Sequence, residues 1–386
     1  MSIIADYAGA GSPALISHLA GSSGQALDML WELRWIRDSM EKGGAHPSRD
    51  AEAFAGELRY KSDRIVIVAP GLTGKMIRAA LTAFHDSDEK KEVICFGDSF
   101  SAAEYTDLLT KIEDRNFSII AVGLEEEPMT QMAAYGTLRK ILRDKYGPSG
   151  ADRRTVIVAS PAARHLSQEK SGEIRFCELP EDTSPIFASN TEALLIPLMA
   201  AGISGDEYLN GFHEMVISTW WDADADQYSL QLSRYRAEDI LYWQTELSGL
   251  AEWLAGMHRT AGIDARPLFC PSELPLRRMK GIGDQITIDE LGAPEAAFAT
   301  QLMVERENSD IMLPAFPGAI GDGSLNELLR SQARAVLSPS LLERMKSGTT
   351  QDICGVRMTE ITPYEYGQMT AFLQISHGIT QFVIGE

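Results

Sequence analysis

The sequence predicts an α/β fold made of parallel sheets that helices cover on both faces. Short runs of β-branched residues alternate with stretches of helical periodicity, which is the pattern of βαβ units. The chain has 386 residues, 44% of them hydrophobic, enough for about two domains of ordinary size. We therefore expect two doubly wound domains. Residues 1–190 would hold N-terminal helices and the first sheet, and residues 191–386 the second sheet and a C-terminal helix.

The elements of the first domain follow from local pattern. Residues 1–60 are predicted to be helical, because apolar side chains such as Leu27, Leu30 and Leu33 recur on one face. Strands are predicted at 64–69, 92–96, 118–122, 155–159 and 173–177. Each strand but the last precedes a predicted helix, at 73–83, 102–112, 131–146 and 162–169. This succession is one complete doubly wound unit.

The second domain begins with a long helical region and ends with further strands. Helices are predicted at 192–201, 206–219 and 228–257. Strands are predicted at 267–270, 311–314 and 356–361.

Composition excludes several classes of partner. Lys and Arg number 35 against 55 Asp and Glu, so the formal charge is −20 and attraction to nucleic acid or an anionic membrane is not expected. The sequence has no basic signal region at its start and no apolar run of membrane-spanning length, which predicts a cytoplasmic protein. The cysteines Cys95, Cys177, Cys270 and Cys354 lack C-x-x-C spacing, so we expect neither a zinc site nor a disulfide framework. No cofactor is predicted.

A glycine-containing turn links the first predicted strand to its helix. Gly71, Thr73, Gly74 and Lys75 stand where backbone amides and a lysine would cradle a phosphate. The spacing is not that of a Walker loop, because two residues rather than four separate the glycines. The segment is either an anion site or a plain tight turn between strand and helix.

A second motif, the stretch Phe96-Gly-Asp-Ser-Phe100, resembles the nucleophile block of GDS(L)-type esterases, in which Ser99 would be the nucleophile. Such a serine needs a histidine as base, which that family takes from Asp-x-x-His. None of the seven histidines follows an aspartate at that spacing. We therefore predict that Asp98 and Ser99 cap a helix.

Residues 123–130 read GLEEEPMT, between an apolar strand and a helix. A helix amino terminus after a strand is a ready anion site, because free N–H groups and the positive end of the dipole point outward. Here the chain supplies its own carboxylates, Glu125, Glu126 and Glu127. Carboxylates at a helix start are themselves stabilising, by about 0.3–1 kcal/mol each.

Two long stretches carry a family resemblance. Residues 117–147, from FSIIAV to LRKILRDKYG, and residues 179–203, from LPED to ALLIPLMAAGI, resemble the glucose-6-phosphate isomerase family in its Firmicutes-like bacterial form without a gap. Weaker similarity extends the resemblance from about residue 60 to the end. The resemblance implies two sugar-isomerase (SIS) domains, a homodimer, and aldose–ketose phosphate isomerisation through a cis-enediol.

The resemblance also locates the family's phosphate-binding positions. Its Ser-Lys-Ser-Gly-Thr-Thr-Thr-Glu loop falls on residues 123–130, where Thr130 is the hydroxyl that remains. Its glycine-rich turn falls on residues 69–73, where Thr73 keeps a hydroxyl. The Gly-Gly-Arg-Phe-Ser segment with its enediolate-stabilising arginine matches residues 184–188, so Ile186 replaces the arginine, and Ser184 at the start of the segment is a ligand-binding candidate.

The positions of the family's acid–base residues are not matched. The general-base glutamate falls near residues 257–260, which contain His258 and Arg259 but no carboxylate, and the ring-opening histidine falls near Lys280. The sequence also ends just before the family's C-terminal lysine. We therefore assign no catalytic residue and treat His258, Arg259 and Lys280 as cleft candidates.

These losses favour a catalytically degenerate protein, a non-catalytic scaffold or regulator. The alternatives are a divergent isomerase, or a binder of a small sugar-like ligand. In the binder, the cleft candidates His258, Arg259 and Lys280, together with the glutamates, would recognise an amine. A cluster of aromatic residues supports the homodimer, because aromatics anchor interfaces; packing between the domains would also explain it. The cluster comprises Trp220, Trp221, Tyr235, Tyr242, Trp243 and Trp253.

Overall fold

The computed structural model describes residues 4–8, 48–84, 92–169, 173–181, 183–219, 228–229, 232–233, 235–242, 244–269, 297–304 and 353–385. The chain forms two compact units. The first unit is Lys42–His213, and the second is Met1–Glu41 together with Glu214–Glu386.

The described strands in chain order are β1 (Ile4–Ala8), β2 (Arg64–Val68), β3 (Glu92–Phe96), β4 (Phe117–Gly123), β5 (Thr155–Ala159), β6 (Arg175–Glu178), β7 (Ala237–Tyr242), β8 (Asp264–Phe269), β9 (Ala297–Val304) and β10 (Ile353–Met358). The described helices are α1 (Arg49–Lys61), α2 (Gly71–Ala83), α3 (Ala102–Ile112), α4 (Met129–Asp152), α5 (Arg164–Gln168), α6 (Glu192–Ala201), α7 (Gly205–Thr219), α8 (Ser248–Thr260) and α9 (Pro363–Gly385). The predicted strand at 311–314 lies outside the described residues.

The first unit contains a parallel sheet in the order β3-β2-β4-β5-β6. Strand β4 is buried at every position, as expected for a strand that helices cover on both faces. The order reverses between β2 and β4, because the chain winds to β3 on one side and to β5 and β6 on the other. This α/β arrangement confirms the predicted fold class, and the predicted strands match to within two residues at each end.

The first unit continues beyond the predicted boundary at residue 190. Helix α6 packs against α1 and α2 and contacts β2 and β5, and it is buried at most positions. Apolar residues lie on all sides of this helix, which is typical of a helix enclosed within a core. The compact unit therefore runs to His213, which differs from the division expected from the sequence.

Helix α4 is longer than predicted because two helical segments join at a kink. Gly147 has φ 72° and ψ 172°, a conformation that glycine adopts readily. Pro148 then begins the second segment, where its missing N–H costs nothing. The predicted helix end at residue 146 thus marks the kink, and the helix continues to Asp152.

The second unit contains a sheet in the order β1-β10-β9-β7-β8. Strand β1 runs antiparallel to β10, and the other neighbours are parallel. The prediction that residues 1–60 are all helical is wrong at Ile4–Ala8, which form β1 at the edge of this sheet. A strand that pairs with a segment far away along the chain leaves only a short local signal.

The predicted helix at 228–257 is also wrong. Strand β7 occupies Ala237–Tyr242, and helix α8 starts only at Ser248. Strand β7 is a central strand between β8 and β9, and its four middle residues are buried in succession, so its residues do not alternate between buried and exposed. A run without alternation is not separable from a buried helix by periodicity alone.

No helix in the described part of the chain has the length and hydropathy of a membrane span. Among the same residues, no group of three or more His, Cys, Asp and Glu could hold a metal ion.

Candidate functional site

The carboxyl ends of β2 and β4 form the candidate site in the first unit. Ligands of doubly wound sheets bind outside the carboxyl ends of the strands, at the point where strand order reverses. Here β2 runs into the turn that starts α2, and β4 runs into the GLEEEPMT loop that precedes α4. The fold therefore brings Gly71, Thr73, Gly74, Lys75 and the loop 125–130 to one edge of one sheet.

A carboxylate of the protein occupies the start of α2. The backbone N–H of Gly71, the first helical residue, donates to Asp98 Oδ1 at 2.6 Å. The guanidinium of Arg78 lies 3.5 Å from the other oxygen, Asp98 Oδ2. Pro70 precedes the helix and makes no side-chain cap, so Asp98 supplies the acceptor from the loop between β3 and α3. Of the pair predicted to cap a helix, Asp98 accepts the first N–H of α2, whereas the helix that follows the pair, α3, is capped by Ser101.

The other predicted residues of this turn are explained mainly by packing within the turn. A Cβ atom on Gly74 would lie 2.1 Å from the carbonyl oxygen of Ala69, so this position requires glycine. Thr73 is buried and Lys75 is half-buried. These features match the tight turn that the sequence offered as one alternative.

The three glutamates do not share one environment. Glu125 and Glu126 are exposed, whereas Glu127 is 8% exposed. Glu127 Oε1 accepts the backbone N–H of Leu166 at 2.7 Å, and its Oε2 is buried without a hydrogen-bond partner among the described residues. Glu127 thus caps α5, not α4, whose first residue follows Pro128 without a side-chain cap. Thr130 lies half-buried in the first turn of α4.

The loop after β4 is held against the turn after β5. Ser160 donates its backbone N–H to Gly123 O at 2.9 Å and its hydroxyl to Leu124 O at 2.8 Å. A Cβ atom on Gly123 would lie 2.8 Å from side-chain atoms of both Ala163 and Leu166. This close packing directs the start of the glutamate loop toward α5.

Gln131 is a site residue that the sequence interpretation missed. Its side chain is 1% exposed and donates to Val122 O at 2.8 Å, with Val68 O at 3.5 Å. The amide therefore bridges the carboxyl ends of β4 and β2. A signal was present, because buried Ala134, Tyr135 and Leu138 extend the sheet-facing stripe of α4 back to this position.

Ser184 lies in the segment that joins β6 to α6. It follows β6, which is at the edge of the sheet with β5 between it and β4. Its hydroxyl accepts the backbone N–H of Ile186 at 3.3 Å, a local turn contact. Ile186 is half-buried and brings no charge.

The two described cysteines of the first unit are poor nucleophiles. Burial raises the pKa of the Cys95 thiol to about 11 and that of the Cys177 thiol to about 12. Thiols with such pKa values stay protonated at neutral pH, so neither provides a reactive thiolate.

The cleft candidates from the acid–base positions belong to the second unit, and Lys280 lies outside the described residues. Arg259 is exposed in the last turn of α8. His258 is 0% exposed, with its Nδ1 hydrogen-bonded to the buried carboxylate of Glu238 on β7. The interpretation of His258 as a cleft residue therefore needs correction, since it lies in a core.

Further polar side chains complete this buried cluster. Thr300 donates to Glu238 Oε1 at 2.5 Å and Tyr228 donates to the same oxygen at 3.2 Å. The His377 ring from α9 stacks on the His258 ring, with centroids 5.6 Å apart. The sequence interpretation missed this cluster because it placed Glu238 in a helix rather than on β7.

No protein-family model matches the chain. A glucose-6-phosphate isomerase of Symbiobacterium thermophilum is 26% identical over 377 residues, which covers 91% of this chain and 82% of that protein. One from Clostridium tetani is 21% identical over 357 residues, covering 86% of this chain and 77% of that protein.

Solved structures share the fold. A hypothetical protein from Thermus thermophilus superposes with a TM-score of 0.74 at 17% identity, covering 96% of this chain and 91% of that one. A glucose-6-phosphate isomerase from Chlamydia trachomatis superposes with a TM-score of 0.69 at 12% identity, covering 100% and 84%. These likenesses agree with the SIS-type α/β fold inferred from the sequence.

Proposed function

Since this chain is a divergent relative of the glucose-6-phosphate isomerases, we propose that it is a catalytically degenerate member with a scaffold or regulatory role in sugar-phosphate metabolism. The observation that carries the proposal is the Asp98 carboxylate at the start of α2. A helix start that could receive a phosphate is already satisfied by a negative group of the protein itself.

Charge opposes a phosphate at this edge of the sheet. Two like unit charges 4 Å apart repel by about 4 kcal/mol at an effective dielectric constant of 20. A phosphate dianion approaching the Gly71 amide would meet the Asp98 carboxylate, and the exposed Glu125 and Glu126 lie on the neighbouring loop. Phosphosugar affinity is therefore expected to be lost before any question of chemistry arises.

The general base and the oxyanion donor that the isomerisation would need are also lacking in this proposal. Losing a positioned general base costs about 10²–10⁴ in rate, and losing one oxyanion donor costs about 10²–10³. Residues 257–260 offer His258 in place of a carboxylate, and that histidine is buried against Glu238. Ile186 stands at the position matched to the arginine. The two losses need not multiply, because residues that act as a unit are not additive.

The second candidate is a divergent isomerase or a binder with altered specificity, and the same carboxylates favour it. Asp98, Glu125 and Glu126 would attract the positive charge of an amine-bearing sugar, just as they repel the negative charge of a phosphate. A thermal-shift panel of sugar phosphates, amino sugars and nucleotide sugars separates the two. A ligand at 100 times its Kd adds about 2.7 kcal/mol to the stability of the folded state. The scaffold predicts no shift with any of these ligands.

A coupled assay with glucose 6-phosphate and fructose 6-phosphate at pH 7 to 8 tests catalysis. We expect no measurable turnover and no binding at millimolar concentration. Turnover above about one per second, the range of working enzymes, would contradict the proposal.

Asp98→Ser tests the charge argument separately. If the carboxylate opposes phosphate, the variant gains a phosphate-dependent thermal shift that the wild type lacks. Asp107→Ser is the matched control, because it removes the same charge from the exposed surface of α3. An equal response in both variants would show that net charge, and not the position of Asp98, decides the outcome.

The proposal includes a cytoplasmic location and a homodimer, the assembly that the family resemblance implies. Its ligand, in the second candidate, is a small sugar-like molecule, and neither candidate requires a cofactor.

A further inference from the structure

Three titratable side chains form a continuous group inside the second unit. Glu238 on β7, His258 on α8 and His377 on α9 are each 0% exposed. His258 Nδ1 is hydrogen-bonded to Glu238 Oε2, and the His258 and His377 rings stack with an interplanar angle of 18°. The stacked pair lies where α8 packs against α9. A buried stack of two imidazoles is stable only while at least one of them is uncharged.

We propose that the His258–His377 stack is a pH-sensitive contact that holds α9 against α8 while His377 is neutral and loosens when His377 takes up a proton. The device lies in the fold of the second unit. It is independent of the proposed function, which rests on the first unit.

The carboxylate of Glu238 is the hydrogen-bonding partner of the inner histidine, His258. This carboxylate also accepts hydrogen bonds from Thr300 at 2.5 Å and from Tyr228 at 3.2 Å. These donors compensate the loss of water around the buried carboxylate and keep it in place beside His258.

His377 has the opposite environment. Burial, together with the positive charge of His258, lowers the pKa of His377 well below its usual value. The described hydrogen bond of its Nε2 is to the hydroxyl of Thr260, at 3.4 Å. A second positive charge on the stack would therefore meet the like charge of His258 at the distance of two stacked rings.

Several described elements contact α9, among them α7, whose Glu214 accepts a hydrogen bond from Tyr364 near the start of α9. Helix α8 contributes His258, and behind it β7 contributes Glu238, while Tyr228 contacts both Glu238 and the His258 ring. Strand β10 contributes the buried apolar side chains Val356 and Met358. On α9 itself the acidic residue of the first turn is Glu365, which accepts the backbone N–H of Glu360.

A polar connection leads from His377 to the surface. Thr260 is exposed at the end of α8, and its hydroxyl accepts a hydrogen bond from Gln381 Nε2 at 3.3 Å. The Thr260 hydroxyl donates its own proton to Met257 O at 2.7 Å, so Gln381 and His377 both lie on its acceptor side, and His377 is the histidine in contact with this exposed residue. This makes the outer histidine, and not the inner one, the group that responds to the solvent.

The sign of the effect follows from linkage. The folded state keeps His377 neutral, whereas an unfolded histidine has a pKa of about 6.5. A histidine whose pKa is lowered by folding contributes stability above about pH 6.5, and this stability is lost as the pH falls through and below that value. One such group changes the folding equilibrium by at most about tenfold per pH unit.

Hydrogen exchange measured at pH 7.5 and pH 5.5, corrected for the intrinsic exchange rate, tests the proposal. We expect protection of α8 and α9 to fall by up to about tenfold per pH unit below pH 6.5, while α4 in the first unit keeps its protection. In His377→Gln the loss on acidification should be absent. His165→Gln, which removes an exposed histidine from α5, should behave as the wild type.

Two results would overturn the proposal. The first is an equal loss of protection in α4, α8 and α9 of the wild type, which would indicate general acid destabilisation. The second is a folded His377→Gln variant that still loses protection of α9 on acidification. If that variant does not fold, the wild-type comparison of α9 with α4 decides alone, supported by an NMR titration in which the neutral imidazole of His377 must persist below pH 6.5.

Discussion

At the residue scale, three adjacent glutamates differ in their burial and in the hydrogen bond that one of their carboxylates makes. Glu125 and Glu126 are exposed, whereas Glu127 Oε1 accepts the backbone N–H of the buried Leu166. The loop from β4 turns toward α5 because Ser160 donates to the backbone oxygens of Gly123 and Leu124. Three like residues in sequence therefore have unlike roles.

We expect Glu127→Ala to lower the free energy of unfolding by about 1–3 kcal/mol, the cost of leaving a buried N–H without an acceptor. Glu127→Gln keeps a carbonyl oxygen and should cost less, and its amide gives the second position a donor in place of the unpartnered Oε2. Urea unfolding measures each variant.

Glu125→Ala and Glu126→Ala are the matched controls for Glu127, because they remove the same group from exposed positions of the same loop. Exposed substitutions of this kind lie within about ±0.5 kcal/mol. Equal losses in all three alanine variants would show that loop charge, and not the contact with Leu166, is responsible.

The cluster around Glu238 shows that the identity of a residue does not reveal its partners in the fold. A glutamate in a strand is unusual, and Glu238 is 0% exposed because Thr300, Tyr228 and His258 together satisfy its carboxylate. These partners come from elements far apart along the chain. No local pattern around residue 238 indicates them.

At the scale of elements, the turn between β2 and α2 depends on one glycine. A Cβ atom on Gly74 would lie 2.1 Å from Ala69 O, and a backbone atom cannot move away as a flexible side-chain end can. The same turn brings the Gly71 amide to Asp98. Close approach of backbone to backbone is thus the reason for glycine at this position.

We expect Gly74→Ala to lower the free energy of unfolding by about 1–3 kcal/mol, the usual cost of overpacking. Gly136→Ala, inside α4, is the matched control: its Cβ would meet nothing within 4 Å, and alanine is favoured over glycine in a helix by about 1 kcal/mol. Chemical denaturation of both variants should give opposite signs. A neutral Gly74→Ala would mean that the turn relaxes at no cost.

Element prediction succeeded where the local pattern was complete. The strands of the first sheet are short β-branched runs followed by amphipathic helices, and each was found in the predicted place. It failed at β7, where buried Glu238 and Asp239 interrupt the apolar run and helical stretches lie on both sides. Contacts with distant residues decide whether such a segment forms a strand or a helix. One of these contacts is that of Arg266, which donates to Asp239 at 2.7 Å.

At the scale of the whole molecule, the evidence for a dimer changes once the structure is known. Trp253 is 0% exposed within the second unit and so belongs to a core. Tyr242 packs against Phe269 with ring centroids 5.4 Å apart, and Trp220, Trp221 and Trp243 lie outside the described residues. The prediction of a homodimer therefore depends on the family resemblance more than on exposed aromatic side chains.

We expect light scattering at micromolar concentration to give about twice the chain mass of 42.4 kDa. A single species at the chain mass would rule out the homodimer at that concentration. Raising the salt concentration is a useful control, because a chain of net charge −20 repels its own copy and screening should favour association.

The sequence by itself determined the α/β class, the first sheet with its helices and the acidic balance. Those properties are local or additive, because periodicity, turn chemistry and residue counts do not depend on distant partners. The tertiary structure alone decided that Asp98 satisfies α2, that Glu127 caps α5, and that His258 is buried against Glu238. Each of these contacts joins residues at least twenty positions apart, and only the order of strands in the sheets brings them together.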